Sequence, residues 1–144
     1  MFYTQGNGKR KLICSILGGI IYGIGLWFLI DAGAYATKHS TEYTTIKFQW
    51  YLPFIFGSLC IVFVNAWTAE DFRGQGFSEQ NTKRARTCFL LGFVGLILTL
   101  LGSFWIAIEQ YFNRTQTGSY PGAALIIASA CSILGAFVVR FGHW

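Results

Sequence analysis

The sequence predicts an all-α integral membrane protein: a single four-helix bundle over residues 1–144, with both termini cytosolic. Three observations predict it. Only 12% of residues are charged and 53% are hydrophobic, whereas soluble domains carry about 25% charged residues. Four apolar runs fill most of the chain, each near the ~20 residues that cross a ~30 Å hydrocarbon core. The cations gather at alternate ends of those runs, as the positive-inside rule requires. A mean hydropathy of +0.47 agrees. The apolar runs leave no room for a soluble module. The net charge of +5 is therefore read as membrane orientation rather than nucleic-acid binding.

Span 1 covers about 12–31. Lys9-Arg10-Lys11 precede an uncharged run from Leu12 to Ile30, closed by Asp31. Ala32-Gly33-Ala34 and Ala34-Tyr35-Ala36 resemble signal-peptidase sites. A signal core runs to about 7–15 residues, and this run is longer, so we expect a retained span. Gly19-x-x-x-Gly23 is a close-packing motif of membrane helices. It is expected to lie against another span of the same chain or to dock a partner.

Span 2 covers about 50–69. Trp50, Tyr51 and Trp67 mark its ends as an interfacial aromatic belt would. Pro53 stands in the first turn, where a missing N–H is cheap. Asn65 is its one strongly polar member.

Span 3 covers about 88–109 and ends at Glu109. Cys88, Gly92, Gly95, Thr99 and Gly102 follow steps of four and three, which draws one small-residue seam along one side of a helix. Span 4 covers about 121–140. Pro121 suits a helix start, and Ala124, Ala128, Ser132 and Ala136 form an i+4 ridge that Arg140 continues. Two such ridges joined by a short loop predict that spans 3 and 4 pack closely, with the span 3 seam facing span 4.

Orientation follows from Lys and Arg. Eight lie at the N-terminus, the second loop and the C-terminus, and three lie in the first and third loops. Asn113-Arg114-Thr115, a glycosylation sequon, then falls outside, which makes Asn113 a candidate acceptor. Asp31 and Glu109 fall at the outer rim. They are read as acids reaching water, with a cation or proton site as the sharper alternative. Arg140 belongs to the opposite face and is expected to snorkel to phosphates. Asn65 is placed at a similar depth.

No mid-membrane ionisable group marks an ion-coupled transporter. No His/Cys/Asp metal cluster, Gly-x-Ser-x-Gly or phosphate loop is present in the sequence, and His39 and His143 fall on opposite sides. We expect no catalytic residue, no cofactor and no metal. Cys14, Cys60, Cys88 and Cys131 lie within or beside apolar runs. They are read as packing residues rather than a disulfide framework, with palmitoylation of Cys14 or Cys88 as the alternative.

Several short signatures also line up. Trp27-Phe28-Leu29-Ile30-Asp31-Ala32 ends span 1, and Val64-Asn65-Ala66 ends span 2. Arg73-Gly74 and Phe77-Ser78-Glu79 follow. Tyr120-Pro121-Gly122 opens span 4, Arg140-Phe141-Gly142 closes it, and Trp144 ends the chain. In this order and spacing, over nearly the whole chain, they resemble the transmembrane protein 50 family, which includes a small yeast vacuolar protein sorting protein of endosomal membranes. The resemblance implies a non-enzymatic endomembrane protein of late endosome to vacuole or lysosome traffic. It implies as partner a second small multi-span protein of the leptin-receptor-overlapping-transcript type. It singles out Asp31, Asn65, Arg73, Pro121, Gly122, Arg140 and Gly142 as its polar and motif positions. Two alternatives stand beside it: an accessory subunit of a larger membrane enzyme or transporter, and a small channel or carrier.

Overall fold

The computed structural model describes residues 3–38, 48–67, 79–112 and 120–142. Its order is α1 (Tyr3–Lys38), a 3-10 turn (Phe48–Trp50), α2 (Leu52–Asn65), α3 (Glu79–Ala107), a π-helical turn (Ile108–Phe112) and α4 (Tyr120–Gly142). α1, α3 and α4 are long and apolar enough to cross a membrane. The chain is thus all-helical, with an integral membrane character.

Two helices outrun their apolar segments. α1 has 36 residues, which at ~1.5 Å each is about 54 Å, well beyond a ~30 Å core. It carries the polar N-terminal residues and continues past Asp31 as helix. α3 likewise begins nine residues before Cys88, at Glu79. α2 behaves the opposite way. Within the described part of the 50–69 run, regular helix covers Leu52–Asn65, 14 residues, or about 21 Å. The Asn65 side-chain amide donates to the Ile61 carbonyl (3.1 Å) in the last turn, and a bend follows at Ala66 and Trp67.

Consecutive helices alternate in direction. Gly18 of α1 lies against Gly135 and Val139 of α4, whereas Gly25 lies against Ala128 and Cys131. Val64 of α2 meets Gly92 of α3, and Thr99, two turns on, meets Gly57. The start of α1 and the end of α4 therefore lie at one end of the bundle, with the start of α3.

α4 is the hub: it packs against the other three helices. Its buried residues include Gly122, Ala124, Leu125, Ala128, Ser129, Ser132, Gly135 and Ala136. Small side chains let three neighbours approach one backbone. α1 leans on α4 almost alone, while α2 and α3 pair with each other and with α4. Tyr22 links α1 to α2, stacking on Phe54 (5.6 Å between centroids) and hydrogen-bonding Ser58 (2.7 Å).

One expectation is corrected here. The Gly92, Gly95 and Thr99 seam of α3 faces α2, not α4. A Cβ on Gly92 would meet Val64 Cγ2 at 2.8 Å and the Cys60 carbonyl at 3.1 Å, and one on Gly95 would strike the Cys60 sulfur. The α3–α4 contact uses Ser103, whose hydroxyl bonds that of Ser129. The reason is rotational. Residues 95, 99 and 103 advance about 40° per step of four on a helix of 3.6 residues per turn, so a ridge winds from one neighbour to the next.

Candidate functional site

The motif positions that are described sort to the two ends of the bundle. Asn65, Arg140 and Gly142 gather at the end holding the termini, while Asp31, Pro121 and Gly122 gather at the other. Arg73 and Asn113 lie outside the described residues, as do His39 and His143.

At the first end, Arg140 stands in the last turn of α4, where a cation complements the partial negative charge of a helix C-terminus. The expected snorkelling is not what the structure shows: Arg140 is only 5% exposed. Its Nη1 donates to the Trp67 carbonyl (2.7 Å), just past the end of α2. Its guanidinium lies over the Phe89 ring of α3, 5.2 Å from the centroid. One side chain thus ties three helices. A carbonyl at the bend after α2 and an aromatic face replace part of the hydration of this buried guanidinium. Phe89, Phe93, Phe137 and Phe141 continue this contact as a chain of ring pairs at 5.8–6.4 Å. Gly142 lets the end of α4 close onto Cys14 of α1.

At the second end the Tyr120 hydroxyl donates to the Asp31 carboxylate, and the Tyr120 ring meets Tyr35 edge-on at 5.3 Å. This joins the end of α1 to the start of α4, beside buried Pro121 and Gly122. Glu109 accepts from Trp105 Nε1 at 2.7 Å, one turn back on its own helix. Each acid therefore has its own donor, and the structure does not join them in a shared cation site. Among the described residues no group of three or more His, Cys, Asp or Glu gathers as a metal site.

Between the ends, hydroxyls are capped. Thr99 and Ser132 each donate to the carbonyl four residues earlier at 2.9 Å, and in the Ser103–Ser129 pair one hydroxyl donates to its own such carbonyl while the other donates across to its partner. Such back-bonding satisfies a hydroxyl inside its own helix.

The packing candidates divide sharply. Gly92, Gly95, Thr99, Ala124, Ala128, Ser132 and Ala136 are all buried inside the bundle. Gly19, Gly23 and Gly102 are not: a Cβ on any of them would meet nothing within 4 Å. Gly19 and Gly23 do not pack against another span of the chain. The α1 glycines that close on α4 are Gly18 and Gly25, which the four-residue motif hid, while Gly33 meets Tyr51. The seven-residue spacing of Gly18 and Gly25 was visible, but nothing in the sequence ranks it above the other pair. Gly102 borders a shallow apolar groove of about 530 Å³ between α2 and α3, which Pro53, Phe56, Leu59, Leu98 and Thr99 also line.

No solved structure matches the chain. A family model described as an uncharacterised protein family, UPF0220, matches residues 2–144. On that match, spanning all but the first residue, the chain belongs to the UPF0220 family.

Proposed function

We propose that this chain is a non-enzymatic assembly subunit of endomembranes, acting in late endosome to vacuole or lysosome protein traffic. Its partner in this reading is another small multi-span membrane protein, of the leptin-receptor-overlapping-transcript type. The observation that carries the assembly role is the outer face of α1. Gly19 and Gly23 lie there open, flanked by exposed Ile16, Ile20, Ile24 and Trp27. Small residues at four-residue spacing let two membrane helices approach closely, and among the described residues nothing fills them. The trafficking role rests on the motif resemblance from Trp27 to Trp144.

Capped hydroxyls and separately bonded acids at one end favour a packing scaffold over a conducting path. The test is native purification of the tagged full chain in mild detergent, followed by mass spectrometry, for the parent and for Gly19→Leu with Gly23→Leu. Recovery of a small multi-span partner, lost in the double variant while the fold is kept, is the expected result. A stoichiometric large catalytic or transport subunit would instead make the chain an accessory subunit. Unchanged recovery in the variant would remove the α1 face.

A further inference from the structure

The two ends of the bundle carry different charge. Helix alternation puts the start of α1, the end of α2, the start of α3 and the end of α4 together. Among the described residues that end holds seven cations, Lys9, Arg10, Lys11, Lys83, Arg84, Arg86 and Arg140, against one carboxylate, Glu79. Among the described residues the other end carries Lys38 against Asp31 and Glu109.

Depth and direction sharpen this. Lys11 precedes Asp31 by 20 residues, about 30 Å of helix, and Tyr120 precedes Arg140 by the same interval. Lys11 and Arg140 thus reach one headgroup plane when Asp31 and Tyr120 reach the other. Before Cys88 on α3 the buried residues are Thr82 and Ala85, while Lys83, Arg84 and Arg86 are exposed. That helix turns its small residues inward and its cations outward, away from the bundle. Lys9, Arg10 and Lys11 are exposed on α1 as well. Two basic helical arms, each built on a helix packed against α4, flank the buried Arg140.

We propose that this end binds anionic phospholipid headgroups of the leaflet it faces, through Lys9, Arg10 and Lys11 on α1 and Lys83, Arg84 and Arg86 on α3. Clusters of four to eight cations beside a membrane helix attract phosphate-bearing lipids, and the attraction acts only within a Debye length of the surface. Two arms on separate helices suit several mobile lipids better than one rigid acidic partner. Their height puts the nearest anions in the headgroup layer.

The test uses the purified full chain in vesicles of phosphatidylcholine with spin-labelled phosphatidylserine or spin-labelled phosphatidylcholine. Preferential retention of the serine lipid on the order of fivefold is expected, the equivalent of one cation's attraction to an anionic surface. The preference shrinks at high salt. It falls in the Lys9→Gln, Arg10→Gln, Lys11→Gln variant and in the Lys83→Gln, Arg84→Gln, Arg86→Gln variant, and persists in Lys38→Gln at the opposite end. Circular dichroism checks that each variant keeps its helices, and the salt response of the parent needs no variant. Equal retention of both lipids, or a preference unchanged in both neutralised variants, overturns the proposal. So does full displacement by soluble inositol trisphosphate, which assigns a free phosphate. Displacement by an acidic peptide at equal charge overturns it in favour of a protein site.

Discussion

Gly18 and Gly25 of α1 lie against α4, whereas Gly19 and Gly23 of the same helix meet nothing within 4 Å. The two pairs share residue type, helix and depth. They differ by about 100° of rotation per residue. That rotation separates a position where backbones touch from one that faces lipid or a partner. In a water-soluble helix the polar face would announce the difference. Here both faces are apolar, and lipid tails resemble the interior in polarity. The lesson extends to α3, where Gly92 and Gly95 are closed by α2 and Gly102 is open.

The largest expected effect breaks the closed side. Gly18→Leu would drive a side chain into Val139 and toward the Gly135 carbonyl, 2.8 Å from a Cβ at that position. Overpacking of this kind costs about 1–3 kcal/mol, and rigid backbone opposite gives little room to relax. A markedly lower melting temperature in detergent is expected. An unchanged melt would mean that α1 does not dock on α4 through this face.

Arg140→Lys comes next. Lysine keeps the charge but loses the planar stack on Phe89 and the fixed aim at the Trp67 carbonyl. A loss of about 1–2 kcal/mol is expected from a charge-assisted bond and a cation–π contact. Cysteine labelling near residue 67 should rise as the end of α2 loosens, and equal labelling in both proteins would contradict the three-helix tie.

A smaller effect belongs to the Ser103–Ser129 pair. Interhelical hydrogen bonds in membrane bundles average about 0.6 kcal/mol. A double-mutant cycle of Ser103→Ala and Ser129→Ala should give a coupling of that order, since the hydroxyl left in either single variant can still donate to the carbonyl four residues earlier. Strict additivity would show that the pair contributes nothing to α3–α4 docking.

The smallest effect on stability, and the sharpest contrast, is Gly19→Leu with Gly23→Leu. Each side chain enters open space, so stability should stay within about 0.5 kcal/mol of the parent, or gain slightly because Gly is a poor helix former. A destabilisation as large as that of Gly18→Leu would erase the distinction between the two faces.

Several features were legible in one dimension. Uncharged runs and their lengths mark the helices, because hydrocarbon demands that every backbone group be bonded within its own segment. Pro121 marks the start of α4, and the burial of Ala124, Ala128, Ser132 and Ala136 follows their i+4 spacing. Other features were not legible. The run from Trp50 to Ala69 looks long enough to span, yet only 14 residues of it form α2. Apolarity measures length along the chain, while Asn65 and the bend after it decide where helix stops. Arg140 looked like a surface cation, and its burial depends on Trp67 and Phe89, far away in sequence.

The sequence by itself determined that this is an all-helical membrane chain with its excess positive charge at alternate ends of its runs. Hydropathy and charge are sums over neighbouring residues, and a bilayer responds to them without reference to any fold. Only the tertiary structure decided that α4 is the hub, that the α3 glycines serve α2, and that Gly18 rather than Gly19 is closed. Those choices depend on which helix faces are brought together by shape, and a helix apolar on every side carries no polarity signal that would choose for it.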